Sequence, residues 1–346
     1  MQWDLTFFYK DHQDPNLVKD LKEALKESEE YQTEGVKFFS KPKIDAKGLE
    51  KLFKTQEKII QKIARAGEFS FLYFAQNTAN LEAQKLLGLC ANYEAKIRQN
   101  FAFITPSLAR LSDDALKELE TEIPAYRHVI EKVRIGKANT FSVETEQVLA
   151  ARSNSGRGRL SELYDKIVSA FSFSLTVDGE KKTLTGEQVR NLRYHPDSKT
   201  RRKAMKVYFK KYEENQIALA NLYNIIQTDY DTEASLRKYP SSISMRNREN
   251  ETDDRTVGKL IEVTTDNAIL VERSYRWKGK KLGLKMPPAD IYAPLETVKK
   301  TYTYEEAKQI VLDAYLHFDR DIGKIVESFF EERRIDSKIV PGKRAG

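Results

Sequence analysis

Four histidines, His12, His128, His195 and His317, are scattered along the chain, and their neighbours decide whether any can hold a metal. A zinc-gripping helix presents two imidazoles at i and i+4 with a carboxylate between them, HExxH. No such segment occurs in residues 1–346. His128 and Glu131 stand at i and i+3 in RHVIEKVR, a spacing able to share an ion, but such pairs are ordinary on solvated helical faces and the plainer reading is preferred. Nucleophilic chemistry finds as little. Cys90 lies in the apolar stretch LLGLCANY, with no cation beside it to lower its thiol pKa, and no serine sits in a GxSxG turn. RSNSGRGRL, from Arg152 to Leu160, offers glycines and arginines without the GxxxxGK[ST] order that aims backbone amides and a lysine at one phosphate. A linker between helices is expected there.

Two basic stretches remain. Lys181 to Lys210 carries ten Lys and Arg against two acids, and Arg273 to Lys285 carries six against none, interleaved with Tyr194, Tyr208, Tyr275 and Trp277. Alternating cations and aromatics can track a nucleic-acid strand. A basic amphipathic helix is more often a solvated face whose aromatics point inward, and that is the expectation here. The whole-chain balance agrees: 59 Lys and Arg against 52 Asp and Glu give only +7 over 346 residues, far from the dense basic face of a dedicated nucleic-acid binder.

The elements that would position these groups are mainly helical. Asp14 is an N-cap followed by Pro15 at the first helical position, and Leu17, Leu21 and Leu25 then fall on one stripe. Leu49, Leu52, Phe53, Ile59, Ile60 and Ile63 keep the same period, which resumes through NLEAQKLLGLCANYEAKIRQNFAF, with GEFSFLYFAQNT expected as a loop between them. Ser112, backed by Asp113 and Asp114, opens a further helix that Pro124 breaks. Phe171, Phe173, Leu175 and Val177 alternate up to Asp178-Gly179, the signature of a β-hairpin near residues 171–184. Thr185 to Gln188 and Thr303 to Glu306 are capping boxes, the second opening a helix with Ile310, Val311, Ala314, Tyr315 and Phe318 as its apolar face. The stretch between Ser198 and Pro240 reads as one long helix.

Composition frames this reading. With 40% hydrophobic and 32% charged residues, 15 Gly and 10 Pro, the chain is a globular, helix-favouring sequence able to bury a large core. A single cysteine permits no internal disulfide, which suits a cytoplasmic setting. No run of 18 apolar residues and no basic, cleavable leader is present, so neither membrane insertion nor export is expected.

Taken in order, RHVIEKVR, ETEQVLAARSNSG, LTGEQVRNLRYHPDSKTRRKAM, TDYDTEASLRKYPSSISMRN, YRWKGKKLGLKMPPADIYAPL, YTYEEAKQIVLDAY and RRIDSKIVPGKRAG resemble segments of the oligoendopeptidase F family of zinc metallopeptidases, relatives of thimet oligopeptidase. RKYPSS, KLGL with DIYAPL, and IDS with GKRAG carry most of the likeness, while residues 1–100 match loosely. The resemblance implies a mainly α fold: an elongated helical N-terminal extension (1–110), a helical domain with a β-hairpin (111–200) and the start of the peptidase domain (201–346), together the first half of a zincin-type oligopeptidase. In that family a segment like GKRAG precedes the HExxH helix by a few tens of residues. The implied cofactor is zinc in the complete enzyme, with none expected on this chain, and no catalytic, cofactor-binding or metal-binding residue is assigned within 1–346. The implied ligands are short peptides admitted to a deep channel, and the implied partner is a complementary C-terminal half. The competing reading is a stand-alone, non-catalytic helical protein that binds peptide or nucleic acid.

Overall fold

The computed structural model describes residues 2–152, 155–296, 300–338 and 343. The described residues are mainly α-helical, with one two-stranded antiparallel sheet.

Three long helices begin the chain: α1 (Pro15–Phe39), α2 (Ala46–Gln76) and α3 (Leu81–Phe101). The Asp14 side chain accepts the Asn16 amide and Pro15 occupies the first turn, as the sequence predicts. Leu17 and Leu21 are buried, as are Leu49, Leu52, Phe53, Ile59 and Ile63, whereas Ile60 lies on the outer face. The expected loop at residues 67–78 is instead mostly helix, because Phe69 and Phe74 extend the buried stripe of α2. The backbone stops being helical only at Asn77, and Asn80 then caps α3 by accepting the amides of Glu82 and Ala83. Asn100 Nδ2 donates to Ser28 Oγ at 2.8 Å, tying α3 to α1. Gly35 faces the Phe103 ring so closely that a Cβ there would stand 2.2 Å from it. The short helices α4 (Ile104–Ala109), α5 (Asp113–Glu122) and α6 (Arg127–Gly136) close this first core, which runs from Tyr9 to Val133.

After α7 (Val143–Arg152) and α8 (Arg157–Ser169) comes the hairpin. Strands β1 (Phe173–Val177) and β2 (Glu180–Leu184) pair Phe173 with Leu184 and Val177 with Glu180 around Asp178-Gly179. Phe173, Leu175 and Val177 point inward, as strand alternation requires. They pack with Val189 of α9 (Gly186–Asn191) and Ala204 of α10 (Ser198–Glu214), forming a second core.

The single long helix expected from Ser198 onward is two, α10 and α11 (Gln216–Leu236). Asn215 makes the break: its side-chain amide donates to Lys211 O at 2.9 Å, the acceptor its own backbone N–H would use in a continuing helix. That N–H moves instead to Tyr212 O. The remaining helices are α12 (Ser242–Glu249), α13 (Asp254–Asp266), α14 (Ala268–Leu282), α15 (Tyr304–Phe318) and α16 (Arg320–Glu331). Both expected capping boxes form, at Thr185 and Thr303. The apolar face predicted for α15 is exposed: Phe318 is 79% and Ile310 54% accessible. α15 pairs with α16, buries Leu312, and leaves the other stripe uncovered among the described residues.

Candidate functional site

Between α3 and α6 on one side and the end of α11 with α12 on the other lies a cleft of about 1430 Å³, to which α7 adds Glu146 and Ala150. Its organising residue is Arg237. The guanidinium grips Glu146 with both ends, Nη1 to Oε1 at 2.7 Å and Nη2 to Oε2 at 2.9 Å, and donates through Nε to Glu233 at 2.8 Å. Its flat face lies 4.4 Å from the Phe141 ring centre, and its carbonyl accepts Asn139 Nδ2 at 2.8 Å. Burial works against the Arg237 cation, yet the two carboxylates outweigh it and raise its pKa. Glu233 is the mirror case: burial would raise its pKa, and hydrogen bonds and charge from Arg237 and Arg157 hold it below the ordinary glutamate value. Planar, two-ended pairing of this kind fixes orientation as well as charge, so Arg237 sets the angle between α7 and α11.

Across the cleft a second contact joins α6 to the end of α12. Glu251, at φ +57° just after α12, receives Lys132 Nζ at 2.6 Å and lies 2.7 Å from His128 Nε2, both on α6. Hydrogen bonds from Lys132 and His128 hold the Glu251 carboxyl below its ordinary value.

The sequence-derived candidates are dispersed. His12 stacks on Tyr73, His195 lies 3.3 Å from Asp178 in the hairpin turn, His317 is exposed on α15, and His128 alone reaches the cleft. Glu131 is 3.9 Å from Arg134 and shares nothing with His128. Among the described residues no three His, Cys, Asp or Glu side chains converge at metal-binding distance, so these residues do not fit a zinc ion. Cys90 is buried with its thiol against Ala66 O, and burial pushes its pKa up. RSNSGRGRL falls partly outside the described residues; Arg157 from it pairs with Glu233 and Asp229, and Arg159 with Glu162.

The inward-pointing aromatics expected of the basic stretches need correcting. Only Tyr208 does so, stacked on Phe173 at 5.6 Å. Trp277 is 57% exposed and Tyr275 is also exposed, because α14 turns this side away from any described neighbour. Tyr194 instead packs edge-on against Tyr292, with Arg193 over both rings. Tyr292 belongs to the DIYAPL segment, whose Asp290 is fully buried against Arg201 of α10. Arg237, Glu146, Tyr239, Arg248 and Glu251, the groups that shape the cleft, are not found by sequence reasoning. The i, i+4 spacing of Glu233 and Arg237 is a local signal, but Glu146 lies 91 residues away.

Residues 108–173 match the family model described as Oligopeptidase F. The group B oligopeptidase PepB of Streptococcus agalactiae is 24% identical across 100% of this chain and 57% of its own length. The oligoendopeptidase F homolog of Borreliella burgdorferi is 22% identical across 100% and 58%. Among solved structures, oligoendopeptidase-F from Enterococcus faecium superposes with a TM-score of 0.72 at 19% identity, over 90% of this chain and 59% of that one. PZ peptidase A with inhibitor 2 gives 0.73 at 13% identity, over 99% and 58%. The resemblance to the oligoendopeptidase F family is therefore borne out in sequence and in fold, and the chain spans a little over half the length of these relatives.

Proposed function

We propose that this chain is the N-terminal part of a zinc-dependent oligoendopeptidase, that its cleft is one wall of the channel receiving short peptides, and that alone it does not hydrolyse them. The observation that carries the reading is the cleft itself, large and rimmed by α3, α6, α7, α11 and α12, in a chain that resembles oligopeptidases. Peptide hydrolysis in such an enzyme relies on a metal-polarised water and a carboxylate base. HExxH is absent from residues 1–346, and the described residues supply no substitute set of ligands. What these residues do is bind and orient: Arg237 ties α7 to the end of α11, and Lys132 and His128 with Glu251 tie α6 to the end of α12.

In this reading residues 1–110 are the helical extension, 111–200 the hairpin-bearing domain and 201–346 the beginning of the peptidase domain. The exposed apolar stripes of α13 to α16 are where a complementary C-terminal half carrying HExxH would pack; Leu260, Ile269 and Phe318 are each more than 60% exposed. The setting proposed is cytoplasmic; among the described residues no helix is long and apolar enough to cross a membrane.

The test mixes the purified chain with a separately produced segment bearing HExxH and follows cleavage of a short quenched peptide with and without zinc. Zinc-dependent cleavage by the mixture alone is expected. A chain that binds peptide but ignores the added segment supports the alternative, a stand-alone binding protein.

A further inference from the structure

The acids of the cleft wall are already engaged. Besides Glu146, Glu233 and Glu251, Glu94 pairs with Arg98, Glu131 with Arg134, Glu249 with Arg246, and Asp253 accepts from Thr256. The cations that answer them are spent in the same contacts. Arg248 is the exception. It lines the cleft, and among the described residues its guanidinium makes no hydrogen bond or ion pair. It lies within electrostatic reach of Asp254, but that carboxylate is already held by Ser244 Oγ at 2.6 Å and Asn247 Nδ2 at 2.8 Å. A second donor stands in the same region: Tyr239 lines the cleft, its hydroxyl is likewise without a hydrogen-bond partner among the described residues, and it feels the charges of Arg237 and Arg248. Burial raises the Tyr239 pKa, which keeps the phenol protonated and therefore a donor at neutral pH.

A guanidinium fork and a neutral hydroxyl, in a wall whose acids are each already held in an ion pair or a hydrogen bond, select for a planar anion with two acceptor oxygens. We propose that Arg248 and Tyr239 form a carboxylate-reading subsite in the cleft, which takes a carboxylate of the bound peptide. The inference rests on the peptide-channel reading above. The carboxylate has two sources, the peptide's C-terminus and an acidic side chain, and Arg248 offers the same fork to either.

The experiment uses the intact chain and one short fluorescent peptide in three forms: free acid, C-terminal amide, and amide carrying a single internal glutamate. Anisotropy titrations are expected to show the free acid, the glutamate amide or both binding about tenfold tighter than the neutral amide, the usual scale for one charge-assisted pair. Arg248→Gln should abolish the difference, Arg248→Lys should keep part of it, and Tyr239→Phe should reduce it while far-ultraviolet circular dichroism stays native. Preference for the free acid assigns the subsite to the peptide terminus, and preference for the glutamate amide to a side chain. Equal binding of all three forms to the unmodified chain overturns the subsite and leaves the peptide channel standing. Binding of none overturns both.

Discussion

Arg201 Nη2 lies 2.7 Å from Asp290 Oδ1, and neither side chain reaches solvent. The pair joins α10 to a segment 89 residues later. Arg202 occupies the second oxygen of the carboxylate, Ser198 Oγ reaches both oxygens, and Arg201 Nη1 spends itself on the carbonyls of His195 and Pro196. A buried ion pair is costly to leave half-made, since the survivor is a desolvated charge. Asp290→Asn and Arg201→Met should each lower stability by about 3–5 kcal/mol, read from urea midpoints, and the double replacement should cost less than the sum.

The same site fixes a pH dependence. Burial alone would raise the Asp290 pKa; hydrogen bonds from Arg202, Arg201 and Ser198 overcome it and lower the value. A carboxyl whose folded pKa is depressed contributes stability above its unfolded pKa, near 3.9, and loses it as pH falls through the folded value. Midpoints should therefore drop steeply below about pH 4, and Asp290→Asn should flatten that slope.

Gly35 sets helix propensity against packing. Replacing a mid-helix glycine by alanine ordinarily gains about 1 kcal/mol. Here the new methyl would meet the fully buried Phe103 ring, and overpacking costs about 1–3 kcal/mol. Gly35→Ala should destabilise the chain in thermal melts, and pairing it with Phe103→Leu should recover part of the loss.

The outer stripe of α15 should bind a hydrophobic dye and drive self-association, because Ile310, Tyr315 and Phe318 are exposed together. Phe318→Glu with Ile310→Lys should reduce both signals in dye titration and light scattering without lowering the unfolding midpoint. In the DIYAPL segment Tyr292 and Leu295 are likewise exposed, whereas Ile291 is partly covered.

Cys90 offers a labelling check. Its thiol is buried and its pKa raised by that burial, so the thiolate population is small and screened. An aromatic disulfide reagent should leave it unreacted in the native chain at pH 8 and titrate it at once in denaturant.

Local signals were the ones legible in the sequence. Asp14-Pro15, Ser112, Thr185 and Thr303 declare helix starts because a cap is decided within four residues. The hairpin shows through Asp178-Gly179 and its alternating flank for the same reason. The break at Asn215 did not show, since it depends on one side chain competing for Lys211 O inside an otherwise helical pattern. Cleft residues were least legible: Arg237 with Glu146, and Glu251 with His128, are separated by 91 and 123 positions, and the charges themselves look like any solvated pair. The exposure of α15 was missed because periodicity names an apolar face without naming what covers it.

The two cores, one from Tyr9 to Val133 and the other from Phe171 to Ala204, have no buried residue in common. Cooperativity is a property of shared interior, so heating should reveal two calorimetric transitions where a single core of this length would give one. For inheritance this amounts to insulation: a substitution that loosens one core leaves the other folded, and each can accumulate changes at its own pace.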